Sequence, residues 1–283
     1  MKRRQLPGWV GVAPFLIVAF LFLIWPAYAV VLQAFKGAEG GFTLGNIATA
    51  AAPQYRSAFL TSGLLSLVTA LIGGVVGTLL TYAVSTLGRP RFLKSAMSTF
   101  AGVASQFGGV PLAFAFVASI GSAGLVTSLL GRIGVDLYGT GFSLLSFGGL
   151  VVVYLYFQIP LMLIVMTPAV DGLRQSWREA ADGLGASTFQ YWIRVGIPLL
   201  TPAFIGGVVL LFANSFAAYA TAQVLTSGSV NLVPIQIGFF VQGNVFADSS
   251  QVGYALALGM ILVVSVALAI NIALQRRVAR WAS

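Results

Sequence analysis

What most constrains this chain is where its charges are missing. Six stretches, residues 10–31, 58–87, 95–120, 147–170, 197–225 and 252–274, contain no Asp, Glu, Lys or Arg. Each is long enough to cross a bilayer as a helix, which takes roughly 20 residues. None shows the alternating polarity, in segments of about ten residues, of a transmembrane β-strand. A helix that is apolar all round belongs in lipid or a deep core, so periodicity within the runs carries no further information. With 7% charged residues and a mean hydropathy of +0.96, the chain is far from a soluble domain, which carries about 25% charge. The expectation is an all-α, polytopic membrane protein with six transmembrane helices.

The net charge of +9 invites a nucleic-acid reading, but its distribution argues against one. With the N-terminus placed in the cytoplasm, Lys2, Arg3, Arg4, Arg89, Arg91, Lys94, Arg174, Arg178, Arg194, Arg276, Arg277 and Arg280 fall inside, and only Lys36, Arg56 and Arg132 outside. A bias of 12 to 3 is what the positive-inside rule produces, and it places both termini in the cytoplasm. The first run also resembles a secretory signal, with Lys2-Arg3-Arg4 before it and Ala27-Tyr28-Ala29 after it. It is longer than a signal core of about 7–15 residues, and its Trp25-Pro26 pair suits an interfacial anchor, so a retained helix is the reading taken. The chain has no Cys and no His. Disulfides, Cys/His metal sites, thiol nucleophiles and histidine bases are therefore excluded.

Residues 35–57 and 121–146, rich in Gly and Ser, read as outer loops, the first with one short helical turn at most. Within 226–251 the apolar segment 232–241 is too short to span and reads as interfacial, re-entrant or packed; residues 231–246 are left between a re-entrant and a periplasmic placement. Gly88-Arg89-Pro90-Arg91 and the tail from Arg276 to Trp281 read as basic topology anchors.

Against this background one segment stands apart. Residues 171–196 hold 6 of the chain's 21 charges and half its carboxylates, between the fourth and fifth runs. Ser176-Trp177-Arg178-Glu179 fits a capping box, which predicts a helix from about Trp177 with Arg178 and Asp182 paired at i,i+4. Ala180 and Ala181 make that helix narrow, and Gly183 and Gly185 allow a left-handed stop or a close backbone approach. Ser187 is then placed to cap a second helix from Thr188 to about Arg194, and Pro198 to reset the chain before the fifth span.

Shape alone would equally suit an amphipathic element on the membrane surface; the spacing is more specific. Glu179-Ala180-Ala181, three residues, Gly185, nine residues, Val195, one residue, Ile197-Pro198 resembles the EAA loop of ABC-importer permeases of type I. That pattern is Glu-Ala-Ala, x3, Gly, x9, Ile, x, Leu, Pro, so this chain departs from it only by Val195 and Ile197. The resemblance covers about residues 57–275. It implies an N-terminal portion (1–56) with an added first helix, a transmembrane domain (57–275) with its coupling loop at 171–196, and a tail (276–283).

The resemblance further implies that Glu179 makes polar contacts to an ATP-hydrolysing subunit, that Ala180 and Ala181 permit close approach, and that Gly185 makes the bend. Ser176, Arg178, Asp182 and Pro198 complete the expected coupling set. ATP binding would then close the ATPase dimer and rock the spans from inward-open to outward-open, with energy entering through differential contacts of the loop. The chain lacks a G-x-x-x-x-G-K-[ST] phosphate loop, so ATP and Mg belong to the partner ATPase and no cofactor is expected here. One coupling loop implies a second permease subunit, identical or homologous. A periplasmic or lipid-anchored solute-binding protein would deliver the cargo at a bacterial cytoplasmic (inner) membrane.

Charged residues inside spans, the usual mark of an ion or proton path, are absent from the six runs. That weighs against the rival reading, a self-sufficient secondary transporter or channel. Polar residues within the runs usually serve as hydrogen-bonding glue between helices. Those with the best claim to a solute path are Asn214 and Tyr219, because the fifth span follows the coupling loop, then Gln158 and Gln106. Residues 212–221 and 231–237 look similar to permeases of the spermidine/putrescine group, which suggests a polyamine; phosphonate, iron, thiamine or a sugar are the alternatives.

Overall fold

The computed structural model describes residues 9–37, 40–86, 91–139, 141–242 and 250–279. The expected anchors at Lys2–Arg4, Gly88–Pro90 and Arg280–Trp281 lie outside them. The described residues form helices and turns, with one isolated antiparallel bridge between Lys36 and Phe42. They contain six helices long and apolar enough to cross a membrane: Val12–Ala34, Pro53–Thr86, Gly109–Arg132, Phe147–Asp171, Thr188–Ala217 and Gln251–Arg276. The chain divides into two compact units, one of residues 1–57 with 236–262 and one of 58–235 with 263–283.

In the first unit, α1 (Trp9–Ala19) runs through a π-turn at Phe20–Ile24 into α2 (Trp25–Ala34). The N–H of Trp25 reaches the carbonyl of Phe20, five residues back. This widened turn lets the helix continue past Pro26, which brings no N–H and needs room for its ring. The loop that follows is more ordered than expected. Phe35 and Phe42 stack with ring centroids 5.6 Å apart. The Asn46 amide at the start of α3 (Gly45–Ala50) donates to the carbonyls of Ala34 and Lys36.

The second unit is organised around α4 (Pro53–Thr86), α8 (Phe147–Asp171) and α11 (Ile197–Ala217), with Ala70, Met162, Met166, Val170, Leu200 and Leu211 buried at its centre. Small residues bring these helices together. A Cβ on Gly77 would stand 2.6 Å from Met162 Cβ and 2.8 Å from the Ile159 carbonyl. Thr69 and Ser215 share a hydrogen bond of 3.0 Å across α4 and α11. In lipid, where apolar side chains gain little from leaving the solvent, such close packing and hydrogen bonding hold helices together.

Two of the expected spans are corrected. The third run, 95–120, is interrupted: α5 (Arg91–Gln106) ends, Phe107 and Gly108 leave the helix, and α6 (Gly109–Ile120) begins with Gly109 at φ +72°. The spanning stretch is therefore Gly109–Arg132, formed by α6 and α7 (Leu125–Arg132), and not 95–120. The fifth run breaks after α11 at Ala218 and Tyr219 and resumes as α12 (Ala220–Thr226). Past it, α13 (Val233–Val241) is the short apolar segment; Leu232, Val233 and Ile235 are buried, and the Val233 N–H donates to Ser62 Oγ. The last helix is α14 (Ser250–Ala279).

Candidate coupling loop and solute cavity

At one end of the second unit α8 leaves its span through a turn at Gly172 and Leu173, and α9 (Gln175–Gly183) begins at once, with Arg174 extended as its N-cap. Ser176 is thus already inside the helix, and the expected capping box does not form there. Glu179 is instead held by Gln175, whose Nε2 donates to Oε1 at 2.9 Å. Arg178 and Asp182 do not pair; among the described residues the ion pair formed is Lys94–Asp171. The box signature belongs to the next helix, α10 (Thr188–Tyr191): Ser187 Oγ accepts from the Gln190 N–H at 3.2 Å, and the Gln190 side chain accepts from the Ser187 N–H at 2.8 Å.

Gly185 ends α9. At φ +74° it is left-handed, and the bonds from Gly185 N–H to the Asp182 carbonyl and from Ala186 N–H to the Ala181 carbonyl make a Schellman motif. Gly183 stays helical. The second helix does not stop near Arg194, nor does Pro198 reset the chain. A π-turn at Trp192–Gly196, closed by the Ile197 N–H on the Trp192 carbonyl, carries α10 into α11. It is the Pro26 device used a second time.

Helix α9 is exposed along most of its length. Arg174, Gln175 and Arg178 line a cavity of about 640 Å³ toward the ends of α4, α8 and α10, and Ala181 on the same face is half-buried. Ser176, Glu179, Ala180 and Asp182 are exposed, as are Gly185 beyond the helix and Pro198 on α11. Beside them Leu184 is 89% and Phe189 73% exposed.

Farther along the spans, the two helix breaks meet. Backbone groups at both are bonded across elements: the Gly109 N–H donates to Thr221 Oγ1 at 2.8 Å, Thr221 Oγ1 donates to the Gly109 carbonyl, and Tyr154 Oη donates to the Ala218 carbonyl at 3.0 Å. Such cross-bonding is what permits non-helical backbone at membrane depth. Between the breaks lies a cavity of about 370 Å³, with Gln106, Asn214 and Tyr219 in its wall together with Ser105, Phe157 and Thr221. Its lining carries no charged side chain. Gln158 stands apart: it is fully buried, and its Nε2 donates to the Leu211 carbonyl at 2.8 Å, so it joins α8 to α11. Ser105, Phe157 and Thr221 had no marker in the sequence except Gly108-Gly109, a dipeptide that signals a break.

Six helices long and apolar enough to span, with a short exposed helix between two of them, define a polytopic membrane protein. Residues 139–280, just over half of the chain, match the family of binding-protein-dependent transport system inner membrane components. The chain belongs to that family: it is the permease subunit of a binding-protein-dependent ABC importer. It is 25% identical over 234 residues to the sulfate transport system permease protein CysT of Escherichia coli strain K12, covering 81% of this chain and 78% of that one. It is 32% identical over 125 residues, 44% of this chain and 43% of the other, to the spermidine/putrescine permease protein PotB of Haemophilus influenzae strain Rd. In fold it is similar to a chain of a bacterial alginate ABC transporter in complex with a periplasmic protein bound to alginate pentasaccharide. The TM-score is 0.70 at 20% identity, over 95% of this chain and 94% of that one.

Proposed function

We propose that this subunit is driven by a separate ABC ATPase dimer that docks on the outward face of α9. Glu179 and Ala180 would form the polar and close-approach contacts, Leu184 and Phe189 the apolar anchors, and Ser176 and Asp182 the rim. The carrying observation is the exposed α9, closed by left-handed Gly185 and followed by α10 and a π-turn that run without a break into α11. A push on this helix is delivered to the span whose far end breaks at the cavity. A second permease subunit, identical or homologous, completes the pathway in a bacterial inner membrane, and a solute-binding protein supplies the cargo from outside.

The cargo passes the cavity between the two breaks and is held by Gln106, Asn214 and Tyr219. We infer a small polar solute. A polyamine is the first reading, supported by likeness to PotB and by the aromatic faces of Phe157 and Tyr219, which attract cations. An oxyanion is the second, favoured by a cavity wall with no carboxylate and by the longer likeness to CysT.

Co-purification tests the drive. The intact chain is expected to retain an ATPase subunit, and Glu179→Arg combined with Gly185→Trp to lose it; solute flux through the chain alone in liposomes, without ATP, would overturn the reading. Asn214→Leu and Tyr219→Leu are expected to lower transport about tenfold or more while solute-stimulated ATP hydrolysis persists, because a buried polar partner is lost at the solute and not at the loop. Full transport in both would remove the cavity from the path.

A further inference from the structure

The cavity behind α9 carries a second site. It opens where α4 ends at Thr86 and α8 ends at Asp171, that is, at the membrane boundary of those spans. Tyr82 and Trp192 stand in its wall, edge to face with centroids 4.9 Å apart, as aromatic side chains do at headgroup depth. Arg174 and Arg178, one helical turn apart, both line it. Neither has a carboxylate within ion-pair distance among the described residues. Arg174 lies over the Trp177 ring at 5.7 Å, a cation–π contact that supplies no counter-charge.

The one acid in the wall does not change this balance. Both oxygens of Asp171 accept from Lys94 Nζ, at 2.8 and 2.7 Å, and Oδ1 also accepts from Ser85 Oγ at 3.0 Å. The carboxylate is therefore satisfied by α5 and α4 and turned away from the arginines' needs. What remains is a polar pocket with two unneutralised guanidiniums, hydroxyls and an apolar wall.

We propose that this cavity binds a phosphate group through Arg174 and Arg178, supplied by the headgroup of an anionic phospholipid. Guanidinium pairs match phosphate oxygens in fork geometry, and basic pockets between spans at the membrane surface take anionic headgroups. The apolar wall of Val170, Leu173 and Trp192 suits the glycerol and first acyl carbons, which a free phosphate lacks. The site borders Glu179 through Gln175, whose side chain lines the cavity and donates to the Glu179 carboxylate, so lipid binding is read on the chain without an ATPase.

Native mass spectrometry of the full chain with added phosphatidylglycerol or phosphatidylcholine tests this directly. The expected result is selective retention of phosphatidylglycerol, reduced about tenfold in the doubly substituted Arg174→Gln, Arg178→Gln chain and by less in the Arg174→Lys, Arg178→Lys chain, which keeps the charge and loses the fork. Equal retention of the two lipids, or unchanged retention in the Gln chain, would overturn the proposal. A second measurement needs no variant: about 1 M NaCl should strip phosphatidylglycerol from the intact chain, because screening at that strength acts within about 3 Å. Salt-insensitive retention counts against the site. Inorganic phosphate is the other arm. If it raises the thermal unfolding midpoint and phosphatidylglycerol is not retained, the phosphate chemistry stands with a soluble source; if neither binds, it falls.

Discussion

The bundle core and the loop that carries α9 both depend on a glycine, for opposite reasons. At Gly77 in α4 the backbone is ordinary helix and the space is missing, with Met162 Cβ and the Ile159 carbonyl where a side chain would go. At Gly185 the space is open, with no atom within 4 Å of a would-be Cβ, and the backbone is unusual at φ +74°. One glycine lets two helices touch; the other lets one helix stop and the chain turn toward the next. The core therefore has little tolerance for volume, and the loop has little tolerance for a change of backbone preference. The largest effect should follow from adding volume where there is none. Gly77→Val is expected to separate α4 from α8 and cost about 3 kcal/mol, at the upper end of overpacking effects. It would be seen as loss of monodisperse protein or a lowered unfolding midpoint, and an unchanged midpoint would show that α8 can move aside.

Gly185→Ala should do something different. A left-handed alanine costs about 1 kcal/mol, all of it local to the end of α9. Global unfolding is expected to stay put, while proteolytic cutting within 178–190 rises about fivefold, since cleavage follows the population of the opened loop. If global stability fell as much as with Gly77→Val, the two regions would not be separable as drawn. Gly183→Ala is the control: this residue is helical, with nothing near its would-be Cβ, so the same change should leave the loop intact or firmer.

How much of this could be read from residues alone follows the same division. The spans were legible because absence of charge over roughly 20 residues has few physical explanations, and the loop because its charges, glycines and cap residues each have local preferences. Ser187 was read correctly as a cap for this reason. The error at Ser176 was one of competition. Ser-x-x-Glu satisfies the box pattern, but α8 releases the chain so close by that Arg174 already holds the cap position and Gln175 claims Glu179. The breaks at 107–108 and 218–219 were hidden because an apolar run looks the same whether or not the helix within it is continuous. Their partners, Thr221 for Gly109 and Tyr154 for Ala218, are 112 and 64 residues away. The π-turns fell between: Pro26 and Pro198 signalled a disturbance, while the continuation of each helix depended on a bond five residues back that composition does not encode.

The cap itself tests whether α10 is held by the loop or by the span it enters. Ser187→Ala removes one acceptor and should cost about 1 kcal/mol if the first turn depends on it, with Ser187→Gly milder by comparison. Hydrogen exchange at Gln190 would report this, since its N–H is the one Ser187 Oγ holds. Unchanged protection would mean that Tyr191, buried against the core, already fixes the turn, and the rigid link from loop to span would then belong to the core side of the comparison.

The smallest effect is expected at the seam between the two regions. Lys94 ties α5 to Asp171, the last residue of α8 before the loop, yet the two side chains are 44% and 37% exposed. Water and salt therefore compete for the pair, and Lys94→Met should cost only about 0.5 kcal/mol at low ionic strength. The difference from the unsubstituted chain should shrink toward zero in about 1 M salt. A larger, salt-resistant loss would mean that the membrane surface shields this pair, because a pair kept from water is neither screened nor cheaply broken. The seam would then be part of the core. In the exposed case Asp171 is a weak tether between α5 and the end of α8.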